Sequence, residues 1–275
     1  MTGLSRSEQV LQRARPLSAL EAGRLEDALR RREAREPLQA VLGETTFYGL
    51  RLTMRPGVLI PRPETERLVE LVLQGAPPPG GRPWRVLDVG TGSGAIALAL
   101  AALRPDAHVV AADVAPEAVA LARDNAASLG LAIDVVESDL LAHPSVRAAA
   151  AAADVVVANL PYLPDADRAA VPSEVRWDPE RALYAGREGL DVARRLLRAA
   201  HGVLAAGTVV WLELDERNAL VLRREALAAG WAEGRLERDL SGRERFLRLR
   251  LRGAVPAWRR SAAAPRRSRR RRRPR

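Results

Sequence analysis

The rhythm of apolar and polar positions changes along the 275-residue chain. In 18–35, Leu20, Leu25 and Leu29 recur at helical spacing, and Ser18 with Glu21 three residues on forms a capping-box start, so a helix is predicted there. The stretch 37–60 holds short β-like runs broken by Gly43, Gly49 and Pro56-Gly57, which predicts a hairpin. A second helix opens at PRPETERLVELVLQG, with Pro63 in its first turn, and GAPPPGGRP (75–83) reads as a linker. From Trp84 strands and helices alternate. RVLDVG, HVVAADV, AIDVVESDL, DVVVANL and TVVWLELD read as strands. GSGAIALALAAL, PEAVALARDNAASLG ending at Gly130, LDVARRLLRAAHGVLAAG ending at Gly207, and ERNALVLRREALAAG read as helices. The run ERDLSGRERFLRLRL alternates in the manner of strands. Such alternation predicts an α/β fold with a parallel sheet covered on both faces.

Composition narrows the chemistry. Hydrophobic residues make up 47% of the chain, enough for a real core. The absence of cysteine excludes disulfide scaffolds, thiolate zinc sites and cysteine nucleophiles. Only His108, His143 and His201 are available as imidazole ligands, too scattered to suggest a metal site. Every basic residue is arginine, so lysine Schiff bases and a Walker-type lysine are excluded. The longest apolar stretch, Ala95–Leu103, stops at Arg104, so no membrane span is expected. The start lacks a signal-peptide apolar region, and a cytoplasmic protein is expected.

The net charge of +10 is unevenly placed. Residues 253–275 contain ten arginines and no acid, and without them the 34 remaining basic residues match the 34 acidic ones. That low-complexity tail is expected to be disordered. Its functional reading is weak RNA or ribosome contact through phosphates. With no aromatic side chain interleaved among the arginines of SAAAPRRSRRRRRPR (261–275) for base stacking, a plain solvated arginine run is favoured.

The strongest local signal is Leu87-Asp88-Val89-Gly90-Thr91-Gly92-Ser93-Gly94, between a predicted strand and a predicted helix. Its glycines permit tight turning and close approach of a ligand, and Asp113 at the end of the next strand is placed to bind a ribose diol. Gly90, Gly92 and Ala95 also satisfy a dinucleotide pattern, so the loop alone leaves two cofactors open. Asp88 and the element that ends the strand DVVVA favour S-adenosyl-L-methionine over NAD.

That element is Asn159-Leu160-Pro161-Tyr162. It resembles the [N/D/S]-P-P-[Y/F] signature of methyltransferases that alkylate a planar amino or amide nitrogen. Such a nitrogen has a delocalised lone pair and is a poor nucleophile. Two acceptors, the Asn159 side-chain oxygen and the Leu160 carbonyl, can bind its two protons and turn the lone pair toward an electrophilic methyl group. Tyr162 can stack on the planar group. Orientation and electrostatics then do the work without a strong base. The plain alternative is a polar turn after a buried strand.

Taken together, the chain resembles the protein-(glutamine-N5) methyltransferases of peptide chain release factors, the PrmC/HemK family. The likeness spans about residues 17–250. It rests on Glu36-Pro37-Leu38-Gln39, Thr46-Phe47-Tyr48-Gly49-Leu50, the stretch Pro56-Gly57-Val58-Leu59-Ile60-Pro61-Arg62-Pro63-Glu64-Thr65-Glu66, the glycine loop and the Asn-x-Pro-Tyr element. Asp178-Pro179-Glu180-Arg181-Ala182-Leu183, Gly189-Leu190-Asp191 and the run from Arg238 to Arg245 add to it. The resemblance implies a shortened N-terminal helical domain (1–36), a hairpin linker and connecting helix (37–82), a class-I, Rossmann-like methyltransferase domain (83–252), and a tail outside the family pattern (253–275). It implies S-adenosyl-L-methionine held by Gly90, Thr91, Gly92, Ser93, Gly94, Asp113, Leu140 and Asn159. It implies a release-factor glutamine held by Asn159, Leu160, Pro161 and Tyr162, with Arg62, Pro63 and Glu64 closing the pocket. Asn159, Pro161 and Tyr162 are the expected catalytic residues; no metal is expected. Leu160 replaces the family's usual first proline, and Glu213-Leu214-Asp215 lacks a glycine the family usually has. Asn-Leu-Pro-Tyr also occurs in ribosomal RNA adenine dimethyltransferases, so an RNA adenine N6-methyltransferase and an inactive cofactor-binding, ribosome-associated protein are the competing readings.

Overall fold

The structure, a computed structural model, describes Leu4 and residues 6–77 and 81–251. The arginine tail and its expected RNA contact, together with 78–80 of the predicted linker, lie outside the described residues. In chain order the elements are α1 (Arg6–Leu11), α2 (Ala19–Glu33), α3 (Leu38–Leu42), β1 (Glu44–Phe47), β2 (Leu50–Thr53), α4 (Pro63–Gln74), β3 (Trp84–Val89), α5 (Ala95–Leu103), β4 (Ala107–Asp113) and α6 (Pro116–Leu129). There follow β5 (Asp134–Glu137), α7 (Pro144–Ala152), β6 (Val155–Asn159), α8 (Glu180–Leu183), α9 (Asp191–His201), β7 (Val209–Glu213), α10 (Glu216–Ala228), β8 (Glu233–Arg238) and β9 (Glu244–Arg250).

Among the described residues the main sheet has seven strands in the order β5-β4-β3-β6-β7-β9-β8. The first five are parallel. The central strands β6 and β7 are near-continuous apolar runs buried on both faces, as helix-covered parallel strands must be, whereas the edge strand β5 is exposed at both ends. β9 then enters antiparallel to β7, and β8 pairs antiparallel with β9. The sheet is therefore mostly parallel, as expected, with an antiparallel pair added at one edge. The run predicted as one alternating segment is most of a hairpin, turned at Asp239–Gly242, where the buried Asp239 carboxylate accepts from the Ser241 and Arg243 backbone N–H groups at 2.9 Å each.

Three further differences are local. The helix predicted to run to Gly207 ends at His201, with Gly202 at its cap. Glycine is a poor helix former, and Gly207 instead takes φ 91° in the turn into β7. α7 was not legible because its alanine run has no apolar–polar period. Leu20, Leu25 and Leu29 of α2 are exposed rather than turned to a core, although its capping box forms as expected: Ser18 Oγ accepts from Glu21 N at 3.2 Å, and Ser18 N donates to Glu21 Oε2 at 2.8 Å. No helix among the described residues is long and apolar enough to cross a membrane.

The hairpin β1–β2 turns at Tyr48-Gly49, both with positive φ (49° and 79°), the geometry of a primed hairpin turn. It is tied to the α/β domain from two sides. Glu66 of α4 accepts from Tyr48 N at 2.6 Å. The fully buried Asn125 of α6 accepts from Thr53 N at 2.8 Å while donating to the carbonyls of Thr53 and Ser93. The front segment is thereby fixed against the loop that follows β3.

Candidate functional site

The chain leaves β3 through Gly90, Gly92 and Gly94, whose φ values of 76°, 57° and 85° lie in the left-handed region that favours glycine. Gly90 N and Thr91 N donate to Ala112 O at 2.8 and 3.0 Å. Gly92 N donates to Asp113 Oδ2 at 2.9 Å, so the loop is fastened to the end of β4. Beneath it, buried Asp88 accepts the Thr91 hydroxyl at 2.6 Å. Burial pushes the Asp88 carboxyl up to about 7, against the pull of that hydrogen bond. Gly90 is required chiefly by its φ of 76°, and a Cβ there would also have to displace the Leu160 Cδ2 methyl group, 2.8 Å away, where the two strand ends meet. Gly94 serves packing: a Cβ there would meet Leu98 and Ala122 at 3.0 and 3.2 Å.

Above the loop lies a cavity of about 300 Å³ at the carboxyl ends of β3, β4 and β6, where strand order reverses. Gly90, Thr91, Gly92, Ser93, Asp113, Leu140, Asn159, Leu160 and Pro161 all line it. The sequence-predicted residues Gly94, Tyr162, Arg62, Pro63 and Glu64 do not, whereas their neighbours Pro61 and Thr65 do. Leu140 takes φ 53°, an unusual conformation for a bulky residue, with its carbonyl accepting from Ser138 Oγ at 2.9 Å. The donor set suits a nucleoside cofactor. Asp113 keeps lone pairs beyond those used by Gly92 N and Ala115 N, and Leu140, Val58, Ile96 and Ala118 offer apolar walls for a flat base.

At the far side of the cavity Asn159 ends β6. Its Nδ2 donates to Thr65 Oγ1 at 3.1 Å, and its Oδ1 is buried without a partner. Tyr162, just beyond, packs under Arg245, whose guanidinium carbon is 5.9 Å from the ring centroid. Burial pushes the Tyr162 hydroxyl well above its ordinary range, keeping it neutral. A Cβ on Gly189 would fall 2.1 Å from Tyr162 O, so the family-like Gly189-Leu190-Asp191 stretch presses directly on this segment. Glu213 ends β7 in register with Asn159 and is 1% exposed.

The two stretches richest in motif character meet here. Asp178 of the DPERAL element accepts from Ile60 N at 3.3 Å and pairs with the Arg62 guanidinium. Burial pushes the Asp178 carboxyl up, against the pull of Arg62. Arg62 therefore fastens the closing segment rather than facing the cavity, and Pro63 occupies the first turn of α4. Sequence reasoning assigned no role to Thr65, Asn125 or Glu213. Thr65 lay inside a motif read for its prolines and acids, and Asn125 and Glu213 gain meaning only from contacts distant in sequence.

A methyltransferase-domain family model matches residues 86–177, and a PrmC N-terminal domain model matches 1–43. The latter match runs past the expected boundary at 36 and takes in the first sixteen residues, which the motif likeness had not reached. The chain is 47% identical to the release factor glutamine methyltransferase of Deinococcus radiodurans over 91% of this chain and 87% of that one. It is 41% identical to the Rhodospirillum rubrum protein of the same name over 92% of this chain and 77% of that one. Among solved structures, the catalytic domain of hMettl16 in complex with an RNA hairpin matches with a TM-score of 0.60 at 18% identity, over 76% of this chain and 79% of that one. A T. thermophilus 16S rRNA methyltransferase in complex with AdoMet and guanosine matches with a TM-score of 0.53 at 22% identity, over 76% of this chain and 50% of that one. Those two likenesses show the fold, a class-I methyltransferase architecture. With close identity to curated relatives along nearly its whole length and both family models matched in order, the chain belongs to the release factor glutamine methyltransferase family.

Proposed function

We propose that this protein transfers the methyl group of S-adenosyl-L-methionine to the side-chain amide nitrogen of the glutamine in the Gly-Gly-Gln motif of class-1 release factors, in the cytoplasm. The observation that carries this reading is the buried, unpartnered Asn159 Oδ1 at the edge of the cavity beneath which the glycine loop runs. A buried acceptor without a donor costs roughly 1–3 kcal/mol, and a substrate N–H removes that cost.

Bound in this cavity, S-adenosyl-L-methionine supplies an electrophilic sulfonium methyl group. Gly90 to Ser93 let it approach the backbone, Asp113 accepts from its ribose hydroxyls, and Leu140 walls its base. Asn159 Oδ1 and the Leu160 carbonyl accept the two N–H protons of the glutamine amide. With both protons held on one side, the nitrogen's lone pair faces the methyl carbon; in-line displacement would form the N–C bond as the S–C bond breaks, release S-adenosyl-L-homocysteine, and pass one amide proton to solvent afterwards, with no prior deprotonation. The neutral Tyr162 backs the Asn159–Pro161 segment from outside the cavity, against Arg245, and the Arg62–Asp178 pair fastens the segment that closes the site. The named relatives support a release-factor substrate over RNA. The test is incubation of the full chain with labelled S-adenosyl-L-methionine, a class-1 release factor and ribosomal RNA together. Label on the release factor is expected; label on the RNA would replace this reading with the adenine one, and cofactor binding without transfer would point to the inactive alternative.

A further inference from the structure

The proposed chemistry needs Asn159 one way round. Its amide carries an acceptor and a donor of nearly equal shape, and half a turn would present N–H groups to a substrate amide that itself offers N–H. The choice falls to its partner. Asn159 Nδ2 meets Thr65 Oγ1 at 3.1 Å, and Thr65 is 2% exposed, so bulk water plays little part. A hydroxyl has one proton, and it can either donate to Asn159 or accept from it. Which it does depends on where that proton goes.

Glu213 answers this. It stands opposite Asn159 across β6 and β7, is buried, and has neither carboxylate oxygen in a completed hydrogen bond. The Thr65 and Tyr162 hydroxyls are the polar groups nearby that favour its charged form, and neither completes a hydrogen bond to it in the structure. A carboxylate can only accept. We propose that Glu213 and Thr65 are positioning residues: the Glu213 carboxylate draws the Thr65 proton, Thr65 Oγ1 is left to accept from Asn159 Nδ2, and Asn159 Oδ1 is held toward the substrate amide. Neither residue touches the reacting atoms. The inference rests on the proposed function for its consequence in turnover, and for the orientation on the Asn159–Thr65 hydrogen bond and on the place of the buried Glu213 beside Asn159 in the sheet.

A pH dependence follows. Facing Glu213 are Glu64 and Thr65 from α4, Arg245 from β9 and Tyr162 after β6. Burial pushes the Glu213 carboxyl up to about 7; Glu64 adds to this, while Thr65, Arg245 and Tyr162 oppose it. Once protonated, Glu213 becomes a donor to Thr65, the Thr65 proton turns to Asn159, and the amide is free to rotate.

Two measurements on the full chain test this. The first needs no release factor: hydrogen exchange of the Asn159 side-chain NH₂, followed by NMR with bound cofactor and assigned by its loss in Asn159→Ala. Protection is expected in the wild type and in Thr65→Ser, and loss of protection in Thr65→Val. The second is turnover on a release factor at saturating cofactor. Thr65→Val is expected to lower kcat by about 10-fold or more with little change in cofactor affinity, as lost orientation does. Thr65→Ser should recover most of the loss. Glu213→Gln keeps an acceptor for Thr65 and should retain part of kcat while losing the fall below about pH 7. Unchanged exchange in Thr65→Val, equal impairment of Thr65→Ser and Thr65→Val, or a wild-type acid limb in Glu213→Gln would overturn the proposal. A wild type that methylates no release factor would sink the proposed function instead, and the exchange measurement would still decide the orientation.

Discussion

Replacing Glu213 with glutamine is expected to stabilise the fold in a pH-dependent way. The carboxyl is 1% exposed, and burial lifts it from an ordinary 4.5 to about 7. That rise corresponds to about 3 kcal/mol of penalty on the charged form in the folded state. The sign follows from proton binding. The folded chain holds this proton more tightly than the unfolded chain, so stability is highest below the unfolded value of 4.5, falls as pH rises, and levels off above about 7. Glutamine has the same shape and no charge to desolvate. Near about pH 4.5 the two chains should converge, and by about pH 8 the variant should lead by about 2 kcal/mol, once an allowance is made for its own N–H groups. The raised carboxyl of Asp88 is common to both chains and cancels in the difference. Urea unfolding followed by circular dichroism at several pH values reads this directly. A stability difference that stays constant from pH 4.5 to 8, or a variant weaker than wild type at pH 8, would refute the reasoning. The expected outcome also implies a trade: the charged carboxylate that orients Asn159 is the form that costs stability.

Asn159→Ala removes the unpartnered acceptor and should lower kcat by about 10²–10³-fold, as loss of one preorganised polar group at a reacting centre does, with cofactor affinity within a few-fold of wild type by calorimetry. Gly90→Ala adds a methyl group 2.8 Å from Leu160 Cδ2 at φ 76°, a conformation that costs about 1–2 kcal/mol for a non-glycine residue, so unfolding stability should fall by about that amount, read by urea denaturation. Arg62→Ala leaves the buried Asp178 with only the Ile60 N–H and should destabilise the chain by about 2–4 kcal/mol. In an Asp178→Asn background the same change should cost under about 1 kcal/mol, a coupling that a double-mutant unfolding cycle measures.

Much of the domain could be read from the chain because the information was local. Apolar runs of strand length between helix-period segments marked all five parallel strands, and the alternate glycines between β3 and α5 announced a close backbone approach. The hairpin was legible from Gly49, and the α2 start from Ser18 and Glu21. What escaped depended on partners far away in sequence. β8 carries charges at Glu233, Arg235, Glu237 and Arg238 with little apolar content, so only its pairing with β9 makes it a strand. The role of Arg62 is invisible without Asp178, which lies 116 residues away. Glu213 looked like a family departure near a missing glycine; its register with Asn159 gives it a setting that no motif could. Leu140 was placed by resemblance, but its left-handed backbone is a tertiary fact that a leucine does not advertise.

The most direct measurement is tandem mass spectrometry of a release factor treated with the full chain and S-adenosyl-L-methionine, mapping the methyl group to an atom. A single methyl group on the side-chain amide of the Gly-Gly-Gln glutamine is expected, formed far more slowly when Asn159→Ala replaces the wild type. A methyl group on another side chain, or an unmodified glutamine beside methylated RNA, would contradict the claim that Asn159 presents an amide nitrogen to the methyl donor.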